Sequence, residues 1–196
     1  LKAAKPLQIL KSKAFWILVP TNFAAACIGT AIIFFQLKLG EVNRWEVTWM
    51  AASFVAYALG GALSTLLAGW LTDRFSARRL FPFYLIPFSI GLAVLYLYEG
   101  ACVYTFLVAA IGTSNGFGGT VKNAALAEIY GTKIIGSVRS LFITAMVFST
   151  AFGPVIFGLL LDQGISFDQL TIASLCFMIL ITLNSLRVLK LKKVAQ

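Results

Sequence analysis

Two long stretches without a single charged residue, 47–72 and 80–98, limit what this chain can fold into. As an α-helix rising about 1.5 Å per residue, each is long enough to cross a bilayer hydrocarbon core of about 30 Å. The short segment between them, 73–79, carries Asp73, Arg74, Arg78 and Arg79. The sequence therefore predicts a helical hairpin in a lipid bilayer, with this charged turn at one membrane surface.

The same pattern of long, charge-poor runs recurs along the rest of the chain. Overall, 60% of the residues are hydrophobic and 12% are charged, whereas a soluble domain is about one-quarter charged. We therefore predict an all-α, polytopic integral membrane protein, a six-helix bundle over residues 14–186, with a basic linker at 1–13 and a basic tail at 187–196. The predicted spans are about 14–37, 47–72, 80–98, 101–127, 139–161 and 168–186.

The positions of the basic residues predict how the bundle is oriented. All of the 16 Lys and Arg residues except Lys38 and Arg44 lie in segments that this topology places on one side of the membrane. Those segments are 1–13, 73–79, 122–139 and 187–196. Short cytoplasmic loops are rich in Lys and Arg, so both termini are predicted to be cytoplasmic. This distribution accounts for the net charge of +9 without a nucleic-acid partner.

The sequence offers little for chemistry. It contains no histidine, and Cys27, Cys102 and Cys176 are scattered singly through apolar runs, which is the pattern of packing residues and not of a metal site or a disulfide framework. Every acidic residue lies at a predicted helix end or in a loop. No nucleophile and base pair can be identified, so neither a cofactor nor an enzyme activity is predicted. An intramembrane enzyme and a non-transporting or truncated six-helix scaffold remain alternatives to transport.

The charged turn and the residues before it fit the pattern G-x-L-x-D-R-x-G-R-R. The matching residues are Gly69, Leu71, Asp73, Arg74, Arg78 and Arg79. Ser76 stands where the pattern has Gly, and Ala77 interrupts the basic run. In this form the segment resembles the loop motif of the major facilitator superfamily of secondary transporters. The segment 149–158, which contains Gly153-Pro154, is similar to the Gly-Pro motif that this family carries in its fifth helix and, less regularly, in its eleventh.

The resemblance implies one half of a twelve-helix fold and secondary active transport of a small solute by alternating access. Residues 1–13 resemble the end of a central loop and the chain stops soon after the sixth run, so we expect the C-terminal half of something longer, whose partner is the missing N-terminal six-helix half. Residues 128–140 are similar to a connection in bacterial monocarboxylate and oxalate/formate porters. That similarity suggests an organic anion as the small-molecule substrate and the bacterial inner membrane as the location.

Polar residues within two of the runs are candidates for the substrate site. The family fold places the first and fourth helices of each half on the substrate cavity. The glycine-rich stretch 112–119 carries Asn115 near the middle of the fourth run, and the first run carries Asn22 and Thr30. We expect Asn115 and Asn22 to contact the solute, with Thr30 as a weaker candidate. The alternative is that both amides only bond to neighbouring helices.

Charged residues around the turn are candidates for a cytoplasmic gate. They are Asp73, Arg74, Arg78, Lys122, Glu128 and Arg139. By resemblance to the family, Asp73 should contact the N terminus of the fifth helix near 137–139 in the outward-open state and hold the cytoplasmic side closed. Lys122 should attract an anion or pair within the gate. The alternative for the turn is a topology signal alone. No acid lies within a span, so a carboxylate that couples transport to protons would have to lie in the missing half.

Overall fold

The computed structural model describes residues 9–191 and is helical along most of this range. Lys2, Lys5, Lys192 and Lys193, which belong to the predicted linker and tail, lie outside the described residues. The elements are α1 (Lys13–Phe34), α2 (Gln36–Asn43), α3 (Val47–Arg74), α4 (Ala77–Leu80), a 3₁₀ segment (Phe81–Leu85), α5 (Ile86–Leu97), α6 (Ala101–Tyr130), α7 (Ile135–Asp162), α8 (Phe167–Ser185) and a second 3₁₀ segment (Leu186–Lys190).

The all-α class and the six membrane-length spans are confirmed. α1, α3, α6 and α7 each form one span, while the third span is Ala77–Leu97 and the sixth is Phe167–Lys190. The connection between α1 and α3 is not an extended loop, because most of it forms the short helix α2. α6 also continues to Tyr130, so Glu128 lies on the last turn of a helix and not in a loop.

Prolines explain why the third span is irregular. Pro82 lies within the 3₁₀ segment that follows α4 in this span, and Pro87 lies at the start of α5. A proline has no backbone N–H to donate and its ring crowds the preceding turn, so a regular α-helix is unfavourable there. The Ser114 hydroxyl of α6 accepts a hydrogen bond from the Phe88 backbone N–H at 3.0 Å, and this bond fixes the start of α5 against α6.

Two helix pairs form the framework of the bundle, α3 with α6 and α1 with α7. In the first pair, Gly112 and Gly116 of α6 lie against backbone carbonyls of α3. In the second pair, Gly153 of α7 lies against the Cys27 carbonyl, and Ser149 Oγ donates a hydrogen bond to the Phe23 carbonyl at 2.5 Å. Small residues allow such close approach between membrane helices, so these glycines set the distances between the helices that carry the candidate site.

Replacing Gly116 by alanine tests this close packing. A Cβ at position 116 would collide with the Gly61 carbonyl oxygen and the Ser64 hydroxyl, whereas one at Gly119 on the same helix would meet nothing within 4 Å. We expect Gly116→Ala to lower the free energy of unfolding by roughly 1–3 kcal/mol, the usual effect of overpacking. Unfolding of the purified protein in detergent micelles by increasing SDS measures this. Gly119→Ala is the matched control. Equal unfolding midpoints for the two variants would show that Gly116 is not closely packed against α3.

Candidate functional site

A cavity of about 250 Å³ lies between α1, α6, α7 and the start of the third span. The side chains that line it include Asn22, Phe81, Lys122, Asn123, Arg139 and Phe142. All of them come from the part of the bundle where α1 begins, α6 ends and α7 begins. Asn22 lies nine residues from the start of α1 and Lys122 eight residues from the end of α6. At about 1.5 Å per residue, both are roughly 12–14 Å inside the helix ends.

Lys122 is the charged group of this cavity that lies deepest in the bundle. Its ammonium donates a hydrogen bond to Asn22 Oδ1 at 3.0 Å and lies 5.3 Å from the centroid of the Tyr84 ring. Tyr84 is fully buried, and its hydroxyl donates to the Thr21 carbonyl at 2.9 Å, so the ring is held in place. Within residues 9–191, Lys122 has no carboxylate partner. Among the described residues, the polar and aromatic partners of the cation are therefore a neutral amide and an aromatic face.

Asn22 joins three helices at this point. Its side chain is buried on α1, and besides accepting the bond from Lys122 of α6 it donates one from Nδ2 to the Phe142 carbonyl of α7 at 3.4 Å. Asn22 lines the cavity and also bonds to neighbouring helices, so it fits both a contact with the solute and a purely structural role. Arg139 lies at the edge of the same cavity, exposed, and adds a second cation.

The two other substrate candidates are not part of this cavity. Asn115 is exposed and lines a separate groove of about 510 Å³ between α3 and α6, where its Nδ2 donates to the Tyr57 hydroxyl at 3.2 Å. Thr30 is half-buried and lines neither space. Asn115 and Lys122 do not line one space, because the short Asn115 side chain is held on the α3 side while Lys122 reaches across to α1.

The charged turn is tied to the end of α6 by Glu128. One carboxylate oxygen of Glu128 accepts hydrogen bonds from the Ser76 hydroxyl at 2.5 Å and the Arg78 backbone N–H at 3.3 Å, and the other accepts from the Ala77 N–H at 2.7 Å. Arg78 Nε lies 3.6 Å from the same carboxylate. Glu128 thus caps the first turn of α4. Free backbone N–H groups at the start of a helix stabilise a negative charge such as this carboxylate.

The expected contact of Asp73 is absent from this structure. Asp73 is exposed and, within residues 9–191, makes no hydrogen bond or ion pair, so it does not reach the N terminus of α7 near 137–139. Arg74 instead lies over the ring of Trp70 on its own helix, 4.9 Å from the centroid. Glu128 satisfies free N–H groups at a different helix start, that of α4, so it does not replace the expected contact of Asp73.

Two residues that contribute to these sites, Tyr84 and Ser76, could not be recognised from the sequence as site residues. Tyr84 carries no distinguishing signal, because an aromatic residue in an apolar run is most often a packing residue. Ser76 was noted only as a departure from the glycine of the motif. A serine immediately before a short helix is a typical helix N-terminal signal, but here the Ser76 hydroxyl donates to Glu128 and does not itself cap the helix.

Removing the Glu128 carboxylate tests its role in the turn. We expect Glu128→Ala to accelerate hydrogen exchange of the Ala77 and Arg78 amides about fivefold, as for a lost helix cap of about 1 kcal/mol. Exchange can be followed by mass spectrometry of the peptide that covers 75–80. Asp73→Asn is the matched control, because it removes a charge from the same turn without removing a bond. Unchanged exchange in Glu128→Ala would show that the cap contributes nothing.

The comparisons with known proteins agree with this arrangement of helices. The family model described as Major Facilitator Superfamily matches residues 7–195. A search of curated proteins finds no match to the sequence. The match extends over nearly the whole chain, and the six apolar helices correspond to one six-helix half of the fold of that family. The chain belongs to the major facilitator superfamily, a family of membrane transporters.

Proposed function

We propose that this chain is the C-terminal half of a secondary transporter that carries a small organic anion by alternating access. The observation that carries the proposal is the position of Lys122. Its ammonium lies roughly 12 Å inside the helix end, in a cavity whose described lining contains a second cation, Arg139, and no acid. A charge within the membrane is costly unless it is paired, and such residues mark solute or ion pathways.

An anionic solute would supply the missing countercharge. A carboxylate that entered the cavity could accept a hydrogen bond from Lys122, and the Asn22 amide beside it could donate one. Charge-assisted bonds of this kind are shorter and stronger than neutral ones. The apolar neighbours Phe81 and Phe142 leave room for a short hydrocarbon group, which suits a monocarboxylate of the kind that the resemblance of residues 128–140 suggests. Asn115, in its separate groove, would serve as a contact to the other half.

The faces that α3 and α7 leave uncovered support a second half. These are the two least buried spans, and their exposed apolar residues include Leu59, Leu63, Phe148 and Phe152. The family fold places the second and fifth helices of each half at the interface between halves, which rock about a site near the membrane midplane. With its basic ends in the cytoplasm, the chain would lie in the bacterial inner membrane with both termini inside.

Neutralising Lys122 tests the anion site. We expect Lys122→Gln to weaken apparent affinity for a labelled monocarboxylate roughly 10- to 100-fold, as for loss of a hydrogen bond to a charged group. The measurement is uptake into vesicles by the protein together with its other half, across a panel of carboxylates and neutral sugars. Lys133→Gln, in the exposed connection before α7, is the control. If Lys122→Gln transports carboxylates like the wild type, the cavity is not the anion site.

The need for a second half gives a further prediction. Vesicles that contain the 196-residue chain alone should take up labelled carboxylates no faster than empty vesicles, because the faces of α3 and α7 would lack their partner. Adding the six-helix N-terminal half should restore uptake. Transport by the chain as a demonstrated monomer would exclude the half-transporter arrangement, and transport as a homodimer would replace the missing half with a second copy.

A further inference from the structure

Two spaces follow one another along the outer seam between the third and sixth spans. The first, of about 410 Å³, is lined by Arg78, Arg79, Phe83 and Leu189. The second, of about 310 Å³, is a furrow between α5 and α8, and its lining includes Ile86, Ile90, Ala93, Leu175, Ile179 and Leu183. Phe83 and Ile86 are three residues apart on one span, and Leu183 and Leu189 are six apart on the other. The furrow therefore continues from the first space toward the membrane interior.

The first space carries an excess of positive charge. Arg79 is exposed and, within residues 9–191, makes no ion pair or side-chain hydrogen bond. Arg78 Nη1 donates to the Leu191 carbonyl at 2.8 Å, which ties the residues after α8 to the charged turn. Arg187 and Lys190 lie on the same 3₁₀ segment as Leu189. Glu128 faces Arg78 and offsets its charge. The cationic excess at this end of the seam therefore comes from Arg79, Arg187 and Lys190.

The furrow is apolar although it contains two hydroxyl residues. Ser89 Oγ donates to the Leu85 carbonyl at 3.0 Å and Thr182 Oγ1 donates to the Met178 carbonyl at 2.8 Å, so each hydroxyl is satisfied within its own helix. Ile90 and Leu183 are 48% and 56% exposed. An aqueous solute would find no hydrogen-bond partner here, whereas a hydrocarbon chain would find a continuous apolar surface.

We propose that this seam binds one anionic phospholipid, with its phosphate at Arg79 and Arg78 and an acyl chain in the furrow. Basic pockets at the cytoplasmic ends of transmembrane helices suit anionic headgroups. The length also fits, because Phe83 to Ala93 is ten residues, or about 15 Å along a helix, and one leaflet of hydrocarbon is half of about 30 Å. A free phosphate would use the arginines but not the furrow. The site is separate from the Lys122 cavity and from the uncovered faces of α3 and α7.

Photoactivatable lipids test the proposal directly. The protein is placed in phosphatidylcholine vesicles that contain a small fraction of a probe with a diazirine in its acyl chain, carrying either a phosphatidylglycerol or a phosphatidylcholine headgroup. After irradiation, labelled peptides are mapped by mass spectrometry. We expect the anionic probe to label α5 and α8 beside the furrow at least about fivefold more than the zwitterionic probe, since each nearby cation contributes about that factor.

Charge variants locate the headgroup. Arg79→Gln should lower labelling by the anionic probe about fivefold and leave labelling by the zwitterionic probe unchanged. Arg44→Gln, which removes an exposed arginine after α2 at the opposite end of the bundle, should change neither. Glycerol phosphate in the buffer should not displace the anionic probe. Equal labelling by the two probes, labelling away from α5 and α8, an Arg79→Gln variant that behaves like wild type, or displacement by glycerol phosphate would each overturn the proposal.

Discussion

The cost of placing a charge in hydrocarbon organises this molecule. It confines most Lys, Arg, Asp and Glu residues to the ends of the spans, and it makes the exception, Lys122, informative. Lys122 is kept in the bundle by Oδ1 of the Asn22 side chain and the face of the Tyr84 ring, two partners that stabilise a cation without neutralising it. The cavity therefore retains a net positive charge, which is the physical basis for expecting an anionic solute.

The same constraint shapes the charged turn. Backbone N–H groups at a helix start need acceptors, and Glu128 supplies them from the neighbouring helix while its charge is balanced by Arg78. Arg78 in turn bonds to the Leu191 carbonyl, so the turn is connected both to α6 and to the residues after α8. Asp73 and Arg74 point away from this network and remain exposed. The turn thus acts as a junction of three parts of the chain.

The spans could be predicted because they depend on local composition, and the family because its motif is a short contiguous pattern. The cavity could not, since its central bond joins residues 100 positions apart, Asn22 and Lys122. Asn115 and Lys122 are seven residues apart, which puts them near one face of α6, but helical spacing gives only the direction of each Cα–Cβ bond. The length of each side chain and the residues around it determine that Asn115 bonds to Tyr57 while Lys122 bonds to Asn22 of α1. The cap that Glu128 forms on α4 joins residues about 50 positions apart and depends equally on tertiary position.

Helix α6 connects the cavity to the charged turn. Lys122 and Glu128 lie six residues apart on it, about 9 Å along the axis, and both bond to other elements. A rigid movement of α6 that separated Lys122 from Asn22 would also disturb the hydrogen bonds from Ser76 and Ala77 to Glu128. Since packed helices shift between discrete arrangements and do not deform continuously, we expect such a movement to change the contacts of Lys122 and of Glu128 together.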